Sequence, residues 1–209
     1  MPKYLGAKCK LCRREGEKLM LKGDRCFTAK CAVVKKNYPP GIHGPKGRAR
    51  QSGYNLQLRE KQKAKKIYNM LEKQFKLSFE RAMNQKGDVG ENLMKILETR
   101  LDNVIYRLGF ADSRASARTY VNHGHFTVNG GKVNIPSFNV KTGDIIKIKK
   151  SSQTSKQFSN LAEKLKKKEI PGWLNLDLKD FGAKVLHQPS KEFFELKINT
   201  PMIVEFYSR

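Results

Sequence analysis

The spacing of apolar positions separates a helical first half from a mixed second half. Ala64, Ile67, Leu71 and Phe75 recur at intervals of three and four, which predicts an amphipathic helix. The N-terminal part of that stretch is crowded with Arg59, Lys61, Lys63, Lys65 and Lys66, and Glu60 is the one acid beside them. A second stripe runs through Leu97, Leu101, Val104/Ile105 and Leu108, and Gly109 stands where a helix C-cap glycine belongs. Asp112-Ser113 supplies an N-cap for a short helix reaching Asn122, which Gly124 stops. On that helix Arg114 and Arg118 are four apart and share one face. Phe126-Thr127-Val128 reads as a strand, Asn129-Gly130 as a tight turn and Lys132–Ile135 as the returning strand. Gly143-Asp144 marks another turn before an apolar and basic strand, Ile145–Lys149. Residues 98–150 therefore predict two helices packed on a small antiparallel sheet, with the basic helix, His123, His125 and Lys132 on one side.

The flanking segments are less regular. Residues 39–53 are rich in proline and glycine, which disfavours a regular helix or strand, and Lys46, Arg48 and Arg50 there would suit phosphates. Residues 151–160 are rich in Ser, Gln and Thr and read as a loop. Leu161–Ile170 reads as a helix ended by Pro171. The tail, from Phe193 through Met202 to Tyr207, reads as apolar and strand-like and is expected to dock on the body.

Charge changes what this scaffold can be for. In 209 residues there are 43 Lys and Arg against 19 Asp and Glu, a net charge of +24. Residues 1–50 alone carry 14 basic and 3 acidic side chains, and every later segment is also basic. A charge spread this widely points to a polyanionic partner, with nucleic acid as the default. An anionic membrane is the other option, but no long amphipathic stretch shows a Trp/Phe/Leu face. Apolar runs are far shorter than the roughly 20 residues of a membrane span, and no signal peptide is expected at the start.

All four cysteines fall in the first 31 residues, as Cys9-x2-Cys12 and Cys26-x4-Cys31. Two short-spaced pairs can present four thiolates to one tetrahedral zinc, leaving no open position for catalysis. An iron–sulfur cluster takes the same four ligands and remains the alternative, with disulfides or a redox pair behind it. Lys8, Lys10, Arg13, Arg14, Arg25 and Lys30 surround the cluster, so a structural metal there would sit in a basic patch. With few large apolar residues, the segment is expected to need the metal in order to fold.

The run Leu97–Ala111, reading LETRLDNVIYRLGFA, resembles the core of the bacterial-type small-subunit ribosomal protein four family. So do Ser113–Arg118, Val121–His125, Val128-Asn129-Gly130 and Ile135-Pro136-Ser137, as well as Gln57–Lys63 and the ending Val204–Arg209. The cysteines resemble the zinc-binding form of that family. Two Tyr-Gly pairs usual in its first helical region are Tyr54-Asn55 and Tyr68-Asn69 here.

The resemblance implies an α+β fold in three parts. Residues 1–45 would form the four-Cys basic segment. Residues 46–97 with 198–209 would form a helical domain, and 98–197 an inserted RNA-binding domain of the alpha-L type with its core at 98–150. It implies a non-enzymatic, cytoplasmic constituent of the small ribosomal subunit, an organellar ribosome being the alternative. Such a protein would bind the 5′ domain of small-subunit rRNA at a multi-helix junction early in assembly. It would neighbour small-subunit proteins three and five, near the mRNA entry and the decoding-accuracy interface, and some members repress their own mRNA. Neither a membrane nor a small-molecule substrate is implied. The RNA-binding residues expected are Lys8, Lys10, Arg13, Arg14, Lys46, Arg48, Arg50, Gln57, Arg59, Lys61, Gln62, Lys63, Lys65, Lys66, Arg114, Arg118, His123, His125, Asn129 and Lys132, with Cys9, Cys12, Cys26 and Cys31 as metal ligands.

Two other classes fit less well. Arg100-Leu101-Asp102 echoes a pseudouridine synthase site, yet it lies in an apolar-periodic helix and too few residues follow for a catalytic domain. A zinc-finger DNA regulator would need a metal-positioned helix, which the proline- and glycine-rich stretch after Cys31 does not supply.

Overall fold

The computed structural model describes residues 4–47, 52–159, 161–166, 168–178, 180–195 and 197–208. The chain separates into two units, Met1–Leu93 with Glu195–Arg209, and Met94–Phe194.

The first unit opens with α1 (Lys8–Glu15), a 3-10 turn at Gly23–Cys26, α2 (Ala32–Lys35) and a second 3-10 turn at Gly44–Lys46. Ser52 then starts α3 (Gly53–Ile67), its hydroxyl accepting from the Asn55 amide at 3.3 Å. The single helix predicted through Phe75 is in fact two, because α4 (Glu72–Met83) begins anew after Leu71. The break sits at Asn69, whose φ of +52° is left-handed. Asparagine is among the few non-glycine residues that tolerate this conformation. The Tyr68-Asn69 departure thus occurs at a place where the backbone itself calls for glycine-like freedom. α5 (Val89–Glu98) begins in this unit and continues into the second, with Leu93, Met94 and Leu97 buried.

In the second unit, α6 (Leu101–Leu108) ends at Gly109 with φ +86°, and Ser113 caps α7 (Arg114–Asn122) by accepting from the Ser116 amide. The stripe from Leu97 to Leu108 is interrupted at Thr99-Arg100. Residues 136–140 insert there: the Leu101 amide donates to Phe138 O, the Asp102 amide to Pro136 O and the Val140 amide to Thr99 O. The same insertion shortens the predicted return strand, since the chain beyond Val133 bonds to the start of α6 instead.

Among the described residues five strands form one antiparallel sheet: β1 (Phe126–Val128), β2 (Gly131–Lys132), β3 (Ile145–Ile148), β4 (Leu174–Asp177) and β5 (Gly182–Val185), in the order β2-β1-β3-β5-β4. Asn129 and Gly130 both have positive φ, the geometry of a tight hairpin turn. The core joins Leu101, Ile105 and Leu108 of α6, Ala117 and Val121 of α7, Phe126, Ile146 and Ile148 of the sheet, and Trp173 and Val185. Residues 150–159 are not a plain loop. They form α8 (Lys150–Gln153) and a 3-10 turn at Lys156–Phe158, because Phe158 is drawn into that core. α9 (Leu161–Lys166) is shorter than predicted.

The tail is a helix, α10 (Thr200–Tyr207), not a strand. Asn199 Oδ1 accepts from the Met202 amide at 3.4 Å and Pro201 occupies the first turn, a start signal that outweighs the β-branched Ile203-Val204 pair. It packs on α3, with Tyr207 stacked on Phe79 at 4.4 Å and Phe206 near Tyr54. Among the described residues no helix is long and apolar enough to cross a membrane.

Candidate nucleic-acid interface and cysteine cluster

The basic run on α3 is largely neutralised within its own unit. Arg59 Nη1 lies 3.2 Å from Glu15 Oε1, and Lys66 bonds the same carboxylate. Lys63 pairs with Glu60 at 2.9 Å and Glu17 at 3.5 Å, while Lys61 and Lys65 grip Glu72 at 2.5 and 2.9 Å. Glu60 is therefore not their sole counter-charge; Glu15, Glu17 and Glu72 lie close only in the fold. Lys61 and Lys63 are just 5 % and 8 % exposed, and Lys61 also sits over the Phe206 ring at 4.6 Å. Burial pushes the Lys66 amine below its ordinary pKa, and Glu15 offsets part of that. Burial would raise the Glu72 carboxyl, but hydrogen bonds from Lys61 and Lys65 prevail and hold it low. Gln57 donates to Glu205 of α10 at 2.7 Å, and Gln62 is half-buried. These pairs fasten α3 to its neighbours.

Arg114 and Arg118 do share a face of α7, but that face turns inward. Both are buried. Arg118 Nη1 lies 3.1 Å from Asp102 Oδ2, a carboxylate that Arg100 already holds bidentately at 3.1 and 2.7 Å. Arg114 Nε donates to Asn103 Oδ1 at 2.7 Å and its guanidinium lies over the Tyr106 ring. Asn103 in turn donates to Glu98, which Arg107 clamps from the other side at 2.7 and 3.0 Å. The Arg-Leu-Asp echo is thus a structural ion pair, with Asp102 only 2 % exposed. The helical spacing placed these arginines correctly; the inward turn depends on Asp102 and Asn103 of α6, which periodicity alone does not pair with them.

His123 and Lys132 are exposed, and Lys132 lies across the end of α7 beside Gly124. His125 is half-buried: Nδ1 meets Ser152 Oγ at 3.0 Å and Nε2 meets the Gln157 amide nitrogen at 2.8 Å. Burial, then the charge of His123, pushes its pKa down. Asn129 is exposed, but its side chain stitches the hairpin, donating to Asp144 and accepting from the Ile145 amide. Exposed Lys149, Lys150 and Lys184 add basic surface that the sequence motifs did not single out. Their signal was that every segment of the chain, not only the first, is net basic.

In the first unit Lys10, Arg14 and Lys46 are exposed and Lys8 is half-buried. Arg13 is committed elsewhere, donating to Tyr38 O at 3.0 Å and Pro39 O at 3.2 Å with its guanidinium over the Tyr38 ring. Arg48 and Arg50 lie outside the described residues.

The four cysteines are free thiols that line one small cavity of about 20 Å³, and Cys12, Cys26 and Cys31 are buried. Burial raises the Cys12 thiol, the Leu19 amide lowers it, and the charges of Cys26, Cys9 and Cys31 raise it again. The Lys22 amide donates to Cys26 Sγ at 3.4 Å. Among the described residues no group of three or more His, Cys, Asp or Glu side chains is disposed to hold a metal ion. The zinc-bound segment expected from the spacing is therefore not shown. The donor chemistry itself, four cysteine sulfurs lining one cavity, is the set a thiophilic ion takes.

Two family models match consecutive stretches: the ribosomal protein S4/S9 N-terminal domain over residues 3–98, and the S4 domain over 99–146. A small ribosomal subunit protein uS4 from Clostridioides difficile is 54 % identical over 209 residues, covering all of both chains. A uS4A protein of Alkaliphilus metalliredigens is 53 % identical and a uS4 protein of Caldicellulosiruptor saccharolyticus 52 %, each again over the full length of both chains.

Proposed function

The chain belongs to the uS4 family of small ribosomal subunit proteins, and on that premise we propose that it is a primary binder of the 5′ domain of small-subunit rRNA. It is a structural constituent of the ribosome, where it binds small-subunit rRNA among other ribosomal proteins, and it is not an enzyme. The likeness over all 209 residues carries the reading, and the net charge of +24 supports it. Binding a multi-helix junction would let it act early in subunit assembly. Contact with small-subunit proteins three and five would place it by the mRNA entry, with an influence on accuracy, in a cytoplasmic ribosome. Repression of its own mRNA belongs to the same proposal.

The exposed cations are the natural phosphate contacts: Lys10, Arg14 and Lys46 in the first unit, and Lys132, Lys149 and Lys150 in the second, where His123 is also exposed. Arg48 and Arg50 join them on sequence grounds. Each cation replaces condensed counterions, so affinity should fall steeply with salt. A junction is read by shape, 2′-hydroxyls and phosphate spacing more than by base edges. In the same proposal Cys9, Cys12, Cys26 and Cys31 hold a structural zinc, which would cross-link α1 to the turn at Gly23–Cys26 and to the start of α2.

The test is binding of the full chain to a 5′-domain rRNA fragment and to an unrelated structured RNA of equal length across a salt series. A preference of about 100-fold surviving at roughly 200 mM salt is expected of a specific binder. Equal affinities that collapse together would leave only generic polyanion binding and defeat the proposal.

A further inference from the structure

One cavity in the first unit has the chemistry of a ligand site that neither the family match nor the cationic run accounts for. It holds about 350 Å³, the size of a small-ligand pocket, between the loop Pro39–Gly47 and the first turns of α3. Arg14 of α1 lines it together with Asn55 and Arg59, four apart on one face of α3; Ile42 and His43 come from the loop. Among the described residues no carboxylate lines it. This sets it apart from the larger cleft nearby, where Glu15, Glu17 and Glu60 balance the cations.

Its walls are fixed. Arg13 acts as a positioning residue, tying the Tyr38 and Pro39 carbonyls to α1. Gly44 lets the loop fold back on itself, since a Cβ there would lie 1.9 Å from Pro39 O. Arg59 is held by Glu15 through Nη1, yet its Nε is buried with no hydrogen-bond partner among the described residues. A buried donor left unsatisfied is costly, so the pair with Glu15 leaves the Arg59 guanidinium short of acceptors. Ile42, in contrast, is 87 % exposed, an apolar side chain offered at the rim of a cationic notch.

We propose that this notch takes one nucleotide of the bound RNA, its phosphate between Arg14 and Arg59 and its base against Ile42 and His43. The inference rests on the RNA-binding reading and deepens it. The charged and apolar sides make separable predictions. Losing a phosphate contact flattens the dependence of affinity on salt, whereas losing an apolar base contact weakens binding without changing that slope.

Full-length wild type, Arg14→Ala, Asn55→Asp and Ile42→Ser are compared on the 5′-domain fragment by filter binding across a salt series. Arg14→Ala should lose about tenfold in affinity near 0.1 M salt and flatten the log–log slope by about 0.7–0.9. Asn55→Asp puts a negative charge in the notch but also in the first turn of α3, where it favours the helix. It should bind more weakly while unfolding no earlier than wild type, which separates a lost site from a lost fold. Ile42→Ser should lose about fivefold with the wild-type slope kept. If wild type shows no preference for the fragment, the RNA reading and this inference fall together. If wild type does prefer it and all three variants match wild type in affinity and slope, the notch is not a nucleotide site and the wider reading stands.

Discussion

Replacing Asp102 with alanine removes the carboxylate shared by Arg100 and Arg118, both of which stay buried. The attraction of a buried pair is worth little net, but deleting one partner leaves the other buried without its counter-charge; here two guanidiniums, of Arg100 and Arg118, lose the carboxylate they share. The expected loss is about 3–5 kcal/mol. For a unit the size of Met94–Phe194 that corresponds to a fall in Tm of roughly 12–20 °C, at about 4 °C per kcal/mol. The chain's one tryptophan, Trp173, is fully buried in this unit, so its fluorescence during thermal unfolding reports the right transition. Removing Arg118 as well, in Asp102→Ala/Arg118→Met, takes away one of the two buried cations and should recover part of the loss. A fall of less than about 4 °C in the single variant, or no recovery in the double, would refute the idea that this triad is a mutually dependent buried network.

Other outcomes follow from the same structure. His125 has its folded pKa pushed below the ordinary value of about 6.5, so the unfolded chain binds the extra proton more readily; wild type should lose stability as pH falls through about 6.5, and His125→Gln should lose less. Identical pH profiles of the two proteins in urea unfolding would sink that assignment. Asn69→Ala, forced into a left-handed conformation, should cost about 1–2 kcal/mol while Asn69→Gly costs little, as denaturation midpoints will show. The purified chain should carry one zinc, and a chelator should raise hydrogen exchange within residues 8–35 while leaving Trp173 fluorescence unchanged. Metal analysis finding iron with sulfide, or no metal and unchanged exchange, would overturn the zinc proposal.

Much of the second unit was legible because its signals are local. Ser113 caps, Gly109 terminates and Asn129-Gly130 turns, each through its own backbone preferences. What was not legible depends on partners distant in sequence. The strands β4 and β5 are short, and β4 was hidden among charged and polar residues; they exist because Trp173, Ala183 and Val185 complete a core that begins at Leu101. Likewise α10 reads as strand from Ile203-Val204, until Asn199 and Pro201 are weighed as a helix start. The ion pairs of the candidate contacts were hidden for a related reason. A lysine's position on a helix can be read from spacing, but whether a carboxylate such as Glu15 or Glu72 arrives to neutralise it cannot.

The pairing of β3 with β5 has a consequence for any attempt to isolate the RNA-binding module. The family-matched stretch ends at residue 146, inside β3, whose other neighbour comes from residues 182–185. A polypeptide cut there would lose Trp173 and Val185 from its interior and expose an unpaired row of amides and carbonyls along Ile145 and Ile146. Open edges of this kind invite strand addition by other copies and aggregation. The smallest autonomous fragment should therefore be sought near residues 94–194.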